Sequence, residues 1–221
     1  MSSPPRFDRL AGLYRWMELM SFGPWLMRTR MAFLDELAGQ RAVVLGDGDG
    51  RFTARLLGRL PELKVDAVDA SPAMLAELKR RTGPNRARLT THEADARFWT
   101  PADPPYELIV THFFLDCLTT EEVAGLAAKL RRASADGAVW VVSEFAVPQG
   151  VFGALVARPV VSLLYWAFGL LTGLRVRRLP DHATALLQAG FRLKRQKRWL
   201  GRLLVSQMWV AAPGLSPPPI R

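Results

Sequence analysis

The chain has 221 residues, 49% of them hydrophobic, enough for one sizeable core in one domain or one domain with a cap. Its one cysteine, Cys117, excludes an internal disulfide framework and a thiolate metal cluster. The net charge of +10 is concentrated between Arg175 and Arg202, where nine Lys/Arg face a single acid, Asp181; such a face can meet nucleic-acid phosphates, anionic lipid head groups, or water alone.

The opening, MSSPPRFDRL, has no charged segment followed by an apolar run, so no secretory signal is expected and a cytoplasmic protein is. Residues 1–38 read as an amphipathic helical lid, with Leu10, Leu13, Trp16, Met17 and Met20 near helical spacing. Gly23-Pro24 breaks the run, and a second helix is predicted from Trp25 to Leu37.

Strands and helices then alternate. Strands are predicted at Arg41–Leu45, Lys64–Asp69, Arg88–His92, Tyr106–Phe113 and Ala138–Phe145. Helices are predicted at Arg51–Leu60, at Pro72–Arg81 with Ser71 as its cap, and at Thr120–Ala133. Near-continuous apolar strands in this rhythm indicate a parallel sheet covered on both faces. Phe191–Trp199 and Leu203–Ala211, joined by a short turn at Gly201, form an antiparallel hairpin. The expected architecture is therefore a doubly wound α/β fold in one domain, 1–212, followed by a disordered tail, 213–221.

One segment stands outside the alternation. Pro159–Leu174 is sixteen residues without a charge, short of the roughly 20 that span a bilayer. Lying between the fifth strand and the hairpin, it is expected to belong to a helical cap, 150–178. Its apolar residues must meet the N-terminal helix, a second subunit in a homodimer, or a membrane surface.

The strongest local signal is VVLGDGDGRF, a turn between the first strand and its helix with Gly46, Gly48 and Gly50. Glycines there permit unusual backbone angles and let a ligand approach the main chain. Nineteen residues after Gly50, Asp69 ends the second strand, where a carboxylate can accept from both hydroxyls of an adenosine ribose. The third glycine comes one residue early for a dinucleotide fingerprint, and Asp47 and Asp49 would repel a pyrophosphate. A cationic sulfonium cofactor with an α-amino group tolerates both acids.

From about Phe7 to Phe145 the chain resembles the class I S-adenosylmethionine-dependent methyltransferases, especially the small-molecule branch that includes quinone-biosynthesis enzymes. The resemblance implies a seven-stranded Rossmann-like sheet, S-adenosyl-L-methionine as cofactor and S-adenosyl-L-homocysteine as product. It assigns Gly46, Gly48 and Gly50 to the glycine motif, Asp69 with Ala70 and Met74 to the ribose side, and Asp95 with Ala96 to the adenine. Thr111 and the loop THFFLDCL fall at the cofactor and acceptor, and Tyr14 in FDRLAGLY matches an aromatic residue that closes over the cofactor. The family usually carries an acid two residues before the first glycine; here that position is Val44, and Asp47 or a backbone carbonyl is expected to hold the cofactor's amino group.

His112 and Asp116, after the fourth strand, are candidate general bases, with Glu144 a further candidate. Asp103-Pro104-Pro105-Tyr106 looks like a motif of amino-group methyltransferases but precedes the fourth strand, so it reads as a turn. The three histidines form no metal-ligand cluster. The expected activity is methyl transfer to a small lipophilic acceptor. The rival is a methyltransferase-like binding module, or an RNA methyltransferase, using the basic face 175–202; nucleic acid is disfavoured, since aromatic residues near that face are few.

Overall fold

A computed structural model describes residues 24–101, 104–147 and 179–214. Its centre is one seven-stranded sheet: β1 (Arg41–Leu45), β2 (Lys64–Asp69), β3 (Leu89–Glu93), β4 (Tyr106–His112), β5 (Ser134–Phe145), β6 (Phe191–Trp199) and β7 (Leu204–Ala211). The spatial order is β3-β2-β1-β4-β5-β7-β6. The first five strands run parallel, and β7 pairs antiparallel with both β5 and β6. Crossing from β1 to β4 reverses the winding, which puts a crevice at the carboxyl ends of those two strands.

Side chains alternate across each strand, so the sheet carries two cores. Val43, Leu45, Ile109, Trp140 and Val142 face one side and pack under α4 (Thr120–Arg132) and α5 (His182–Gln188). Ala42, Val44, Leu108, Val110 and Val141 face the other, under α2 (Arg51–Arg59) and Leu78 of α3 (Pro72–Thr82). The short α1 (Pro24–Arg30) lies against β6 and β7.

Local chemistry sets the helix ends. The Ser71 hydroxyl accepts from the Met74 amide with Pro72 in the first turn, as expected from sequence. Thr119 and Glu122 form a reciprocal capping box on α4.

Three expectations need correction. The helix predicted from Trp25 to Leu37 stops at Arg30 and passes into a 3-10 turn at Leu34–Glu36, which lets Phe33 and Leu37 enter the core under α2. β5 begins at Ser134 rather than Ala138, because Tyr106 pairs with Ser134 before a register shift brings Leu108 opposite Val139. Helix α5 has no counterpart among the predicted elements; Asp181 caps it by accepting the Thr184 amide at 3.1 Å, and it buries Ala185 and Leu186. The lid 1–38 up to Gly23, with Tyr14, the cap 150–178 and nearly all of the tail lie outside the described residues.

Candidate functional site

The glycine turn sits at the switch point between β1 and β4, joined to β2 by the Gly46 amide donating to the Val68 carbonyl at 3.0 Å. Gly46, Gly48 and Gly50 all take left-handed backbone, with φ of 64, 62 and 75°. Their surroundings differ. A Cβ on Gly46 would overlap the Phe114 ring, and one on Gly50 would come within 2.8 Å of the Leu78 Cα. A Cβ on Gly48 would meet nothing within 4 Å. Two of the glycines thus serve close packing of the turn, and the third borders open space.

The two acids of the turn also differ. Asp49 is engaged by Arg51 at 2.7 Å and Arg81 at 3.2 Å, which ties the turn to α3. Asp47 is buried; its Oδ2 accepts the Thr53 amide in the first turn of α2 at 2.9 Å, while its Oδ1 is buried with no hydrogen-bond partner. Burial pushes the Asp47 carboxyl up to about 6, against the lowering pull of the Thr53 amide and the Arg30 guanidinium. Val44, where the family carries an acid, points into the apolar cluster beneath α2.

Asp69, half-buried at the end of β2, accepts the Ser71 amide through Oδ1 at 2.9 Å. Ala70 beside it is exposed and Met74 is buried. After β3, the Asp95 carboxylate is gripped by Arg97, whose backbone amide donates at 2.9 Å and whose guanidinium donates at 2.6–3.0 Å. Burial works against ionisation of Asp95, but the Arg97 contacts outweigh it and hold the carboxyl below its usual range. Arg97 in turn reaches Glu122, and Ala96 is buried beside Trp99. A ligand amino group at Asp95 would share that carboxylate with Arg97. Thr111 is fully buried in β4 and its hydroxyl accepts the Trp140 indole N–H at 2.9 Å; its side chain is committed to the core, and the strand is paired on both sides there, with Leu45 and Val142.

His112 ends β4 fully buried, edge-on to Phe52 at 4.4 Å, and neither ring nitrogen has a hydrogen-bond partner. Burial, helped by the Arg30 charge, holds its pKa well below the usual value, so the ring is neutral. Asp116 is also buried, on a 3-10 turn at Leu115–Cys117. Glu144, near the end of β5, binds this loop: its Oε1 accepts the amides of Phe114 at 3.2 Å and Leu115 at 2.9 Å, and its Oε2 is buried without a partner. Burial and then the nearby Asp116 push Glu144 well above the carboxylate range. Phe113 carries the strain of the bend, with φ of 54°.

The carboxyl edge of the sheet therefore gathers Asp47, Asp69, Asp95, Asp116 and Glu144 in a protein of net charge +10. Sequence reasoning missed Arg30 and Phe114, whose contacts join distant parts of the chain. Among the described residues no group of three His, Cys, Asp or Glu is placed to hold a metal.

Residues 42–137 match the family model of a methyltransferase domain. Over those residues, less than half of its length, the chain is similar to methyltransferase domains, and its sheet order is the one that the resemblance to the class I S-adenosylmethionine-dependent enzymes implies. It is similar to the trans-aconitate 2-methyltransferase of Streptomyces avermitilis, 42% identical over 74 residues, 33% of this chain and 27% of that protein. The trans-aconitate 2-methyltransferase of Methylobacterium nodulans is 35% identical over 100 residues, 45% of this chain and 36% of that one. The chain thus spans about a third of the length of these curated relatives.

Among solved structures, the fold is shared with N-methyltransferase NodS from Bradyrhizobium japonicum bound to S-adenosyl-L-homocysteine. The TM-score is 0.61 at 14% identity, over 85% of this chain and 84% of that one. Mitomycin 7-O-methyltransferase gives a TM-score of 0.67 at 17% identity, over 93% and 60%. S-adenosyl-L-methionine is the cofactor that the resemblance implies, and two features of this chain fit it: the open side of Gly48, and the buried Asp47 Oδ1 that has no donor.

Proposed function

We propose that this chain catalyses methyl transfer from S-adenosyl-L-methionine to a small acceptor that is lipophilic and carries no cluster of carboxylates. The observation that supports it most is the pairing, on one edge of the sheet, of an open Gly48 and a buried unpaired Asp47 oxygen with the strand-end carboxylate Asp69. When bound, the cofactor supplies an electrophilic methyl carbon on a sulfonium.

In this reading, Gly46, Gly48 and Gly50 form the methionine-side wall, and Asp47 Oδ1 accepts from the amino group. Asp69, with Ala70 and Met74 beside it, takes the ribose hydroxyls, and Asp95 with Ala96 borders the adenine. Asp116 accepts the acceptor's proton. His112, neutral and enclosed by Phe52, serves as a wall that excludes water rather than as a base. The chain's main contribution is holding the acceptor's nucleophile in line with the methyl carbon.

The relatives named above act on trans-aconitate, which makes that acid a second reading. Against it, the described acids at the ends of β4 and β5 are Asp116 and Glu144, His112 there is neutral, and the Arg30 charge also acts on Asp47. Lipophilicity rests on Pro159–Leu174, and with it the kinship to the quinone-biosynthesis branch. The domain reading, 1–212 with a lid and a cap, and dimerisation through that cap, remain part of this proposal. Titration calorimetry with the cofactor and its product tests the site. A labelled-methyl screen comparing phenols, quinols and trans-aconitate tests the acceptor; saturable methylation of trans-aconitate alone would overturn the acceptor assignment.

A further inference from the structure

The carboxyl edge of the sheet continues beyond β5. Phe145 pairs with Leu204, and Leu204 pairs with Trp199, so the turn between β6 and β7 stands on the same edge as Glu144. Leu200, Gly201 and Arg202 all have positive φ, a tight reversal that leaves Gly201 and Arg202 exposed.

Beside this turn a cleft of about 570 Å³ opens between the end of α1 and the end of β6, lined by Arg28, Met31, Ala32, Lys197, Arg198 and Trp199. Three of the six are cations and none is an acid. Lys197 is held by the Ala32 carbonyl and lies 3.5 Å from Glu36, which Arg195 also engages. Arg28 lies 5.4 Å from the centre of the Trp25 ring. Among the described residues, no hydrogen bond or ion pair occupies Arg28, Arg198 or Arg202.

Lysines and arginines on an edge strand keep it from pairing with another sheet, and that accounts for the exposed Arg192 and Lys194. It does not account for Arg28, which comes from a helix, or for Arg202, which comes from the turn. Cations from α1 and β6 line the cleft beside the half-exposed Trp199, Arg28 lies over the half-exposed Trp25, and the turn that follows Trp199 adds Arg202. Phosphate groups complement the cations, and indoles favour the boundary between lipid head groups and acyl chains.

We propose that this cleft and the 200–202 turn are a docking surface for the phosphate head groups of an anionic lipid bilayer. The inference goes beyond methyl transfer and does not depend on it. Its bearing on function is placement: the surface stands on the edge where a lipophilic acceptor would enter.

Flotation of the full chain with phosphatidylcholine vesicles, with and without phosphatidylglycerol, tests it at low and high salt. The protein is expected to float with phosphatidylglycerol vesicles at low salt, and to stay behind with phosphatidylcholine alone or at high salt. The triple variant R28A/R198A/R202A is expected to lose about a hundredfold in apparent affinity. Its melting temperature and its titration with S-adenosyl-L-homocysteine should match wild type, which separates this proposal from the methyl-transfer reading. Millimolar inorganic phosphate should leave vesicle binding intact, since one small anion cannot replace a multivalent surface. Equal flotation of the triple variant, no preference for phosphatidylglycerol, displacement by inorganic phosphate, or tighter binding to a single-stranded oligonucleotide would each overturn the assignment.

Discussion

The Phe114 ring lies so close to Gly46 that no side chain fits between them, which locks the loop after β4 onto the glycine turn after β1. Glu144 holds the other side of that loop through the Phe114 and Leu115 amides. Three strand ends are thereby fixed relative to one another at the point where the proposed function brings cofactor and acceptor together.

This contact separates the roles of two glycines. Gly46→Ala forces a β-carbon into Phe114 and strains a left-handed backbone, so it should destabilise the protein by about 1–3 kcal/mol. Gly48→Ala meets no protein atom and carries the backbone strain alone, about 1–2 kcal/mol. It should nonetheless weaken S-adenosyl-L-homocysteine binding at least as much as Gly46→Ala does. Thermal melts and calorimetry on both variants check this; normal binding by Gly48→Ala would place the ligand elsewhere.

Asp47 should give the protein a pH signature. Its carboxyl rises from 3.8 when exposed to about 6 in the fold, because burial disfavours the charge. Between those values the native state binds more protons than the unfolded chain, so this group's contribution to stability falls as pH rises from about 4 to about 6 and is level above. The full effect is about 3 kcal/mol, and Asp47→Asn should flatten it. Binding of the cofactor's cationic amino group should strengthen as pH rises through the same window, since the proposal makes the carboxylate its partner. A pH series of melts and titrations on wild type and Asp47→Asn reads both effects; parallel curves would remove Asp47 from the site.

Glu144 offers a second comparison. Glu144→Gln keeps an oxygen for the Phe114 and Leu115 amides and removes an acid that burial already disfavours, so stability should change little. Glu144→Leu leaves both amides without their acceptor and should cost about 2–4 kcal/mol. Hydrogen exchange at the Phe114 and Leu115 amides should accelerate only in the Leu variant. Equal protection in both would show that the clamp does not hold the loop.

Away from the site, Asp66 accepts the Tyr106 hydroxyl at 2.8 Å and bonds the His92 imidazole at 2.7 Å, linking β2, β3 and β4. Asp66→Ala should cost about 2–4 kcal/mol by leaving a buried tyrosine hydroxyl without its acceptor. Affinity for S-adenosyl-L-homocysteine should be unchanged. A melting temperature equal to wild type would show that the network is dispensable.

The bounds of β1, β2 and β6 are legible residue for residue: an apolar run ended by the glycine turn or by aspartate limits β1 and β2, and glycines flank β6, whose exposed cations mark an edge strand. So is Asp69, placed by its distance from the glycine turn. What stayed hidden is long-range. Nothing local in THFFLDCL says that Phe114 meets Gly46, or that an acid 29 residues on will hold Leu115. One signal is available: Glu144 follows the apolar run Ala138–Val142 near the end of its strand, and a carboxylate buried there needs amide donors. Asp95 also hid its constraint in plain view, since an arginine two residues later can fold back on it. Helix α5 is too short for periodicity to declare it, and only its Asp181 cap marks it.

The central claim is that this chain binds an adenosyl sulfonium cofactor at the carboxyl ends of β1 and β2. Titration calorimetry with S-adenosyl-L-homocysteine, on wild type and on Asp69→Ala, tests it most directly. Wild type should bind saturably with one site, and Asp69→Ala should bind tenfold to a hundredfold more weakly, about 1.5–3 kcal/mol for lost charge-assisted hydrogen bonds to the ribose. A folded wild-type protein that takes up neither the cofactor nor its product, or an Asp69→Ala variant that binds as wild type does, would contradict the account.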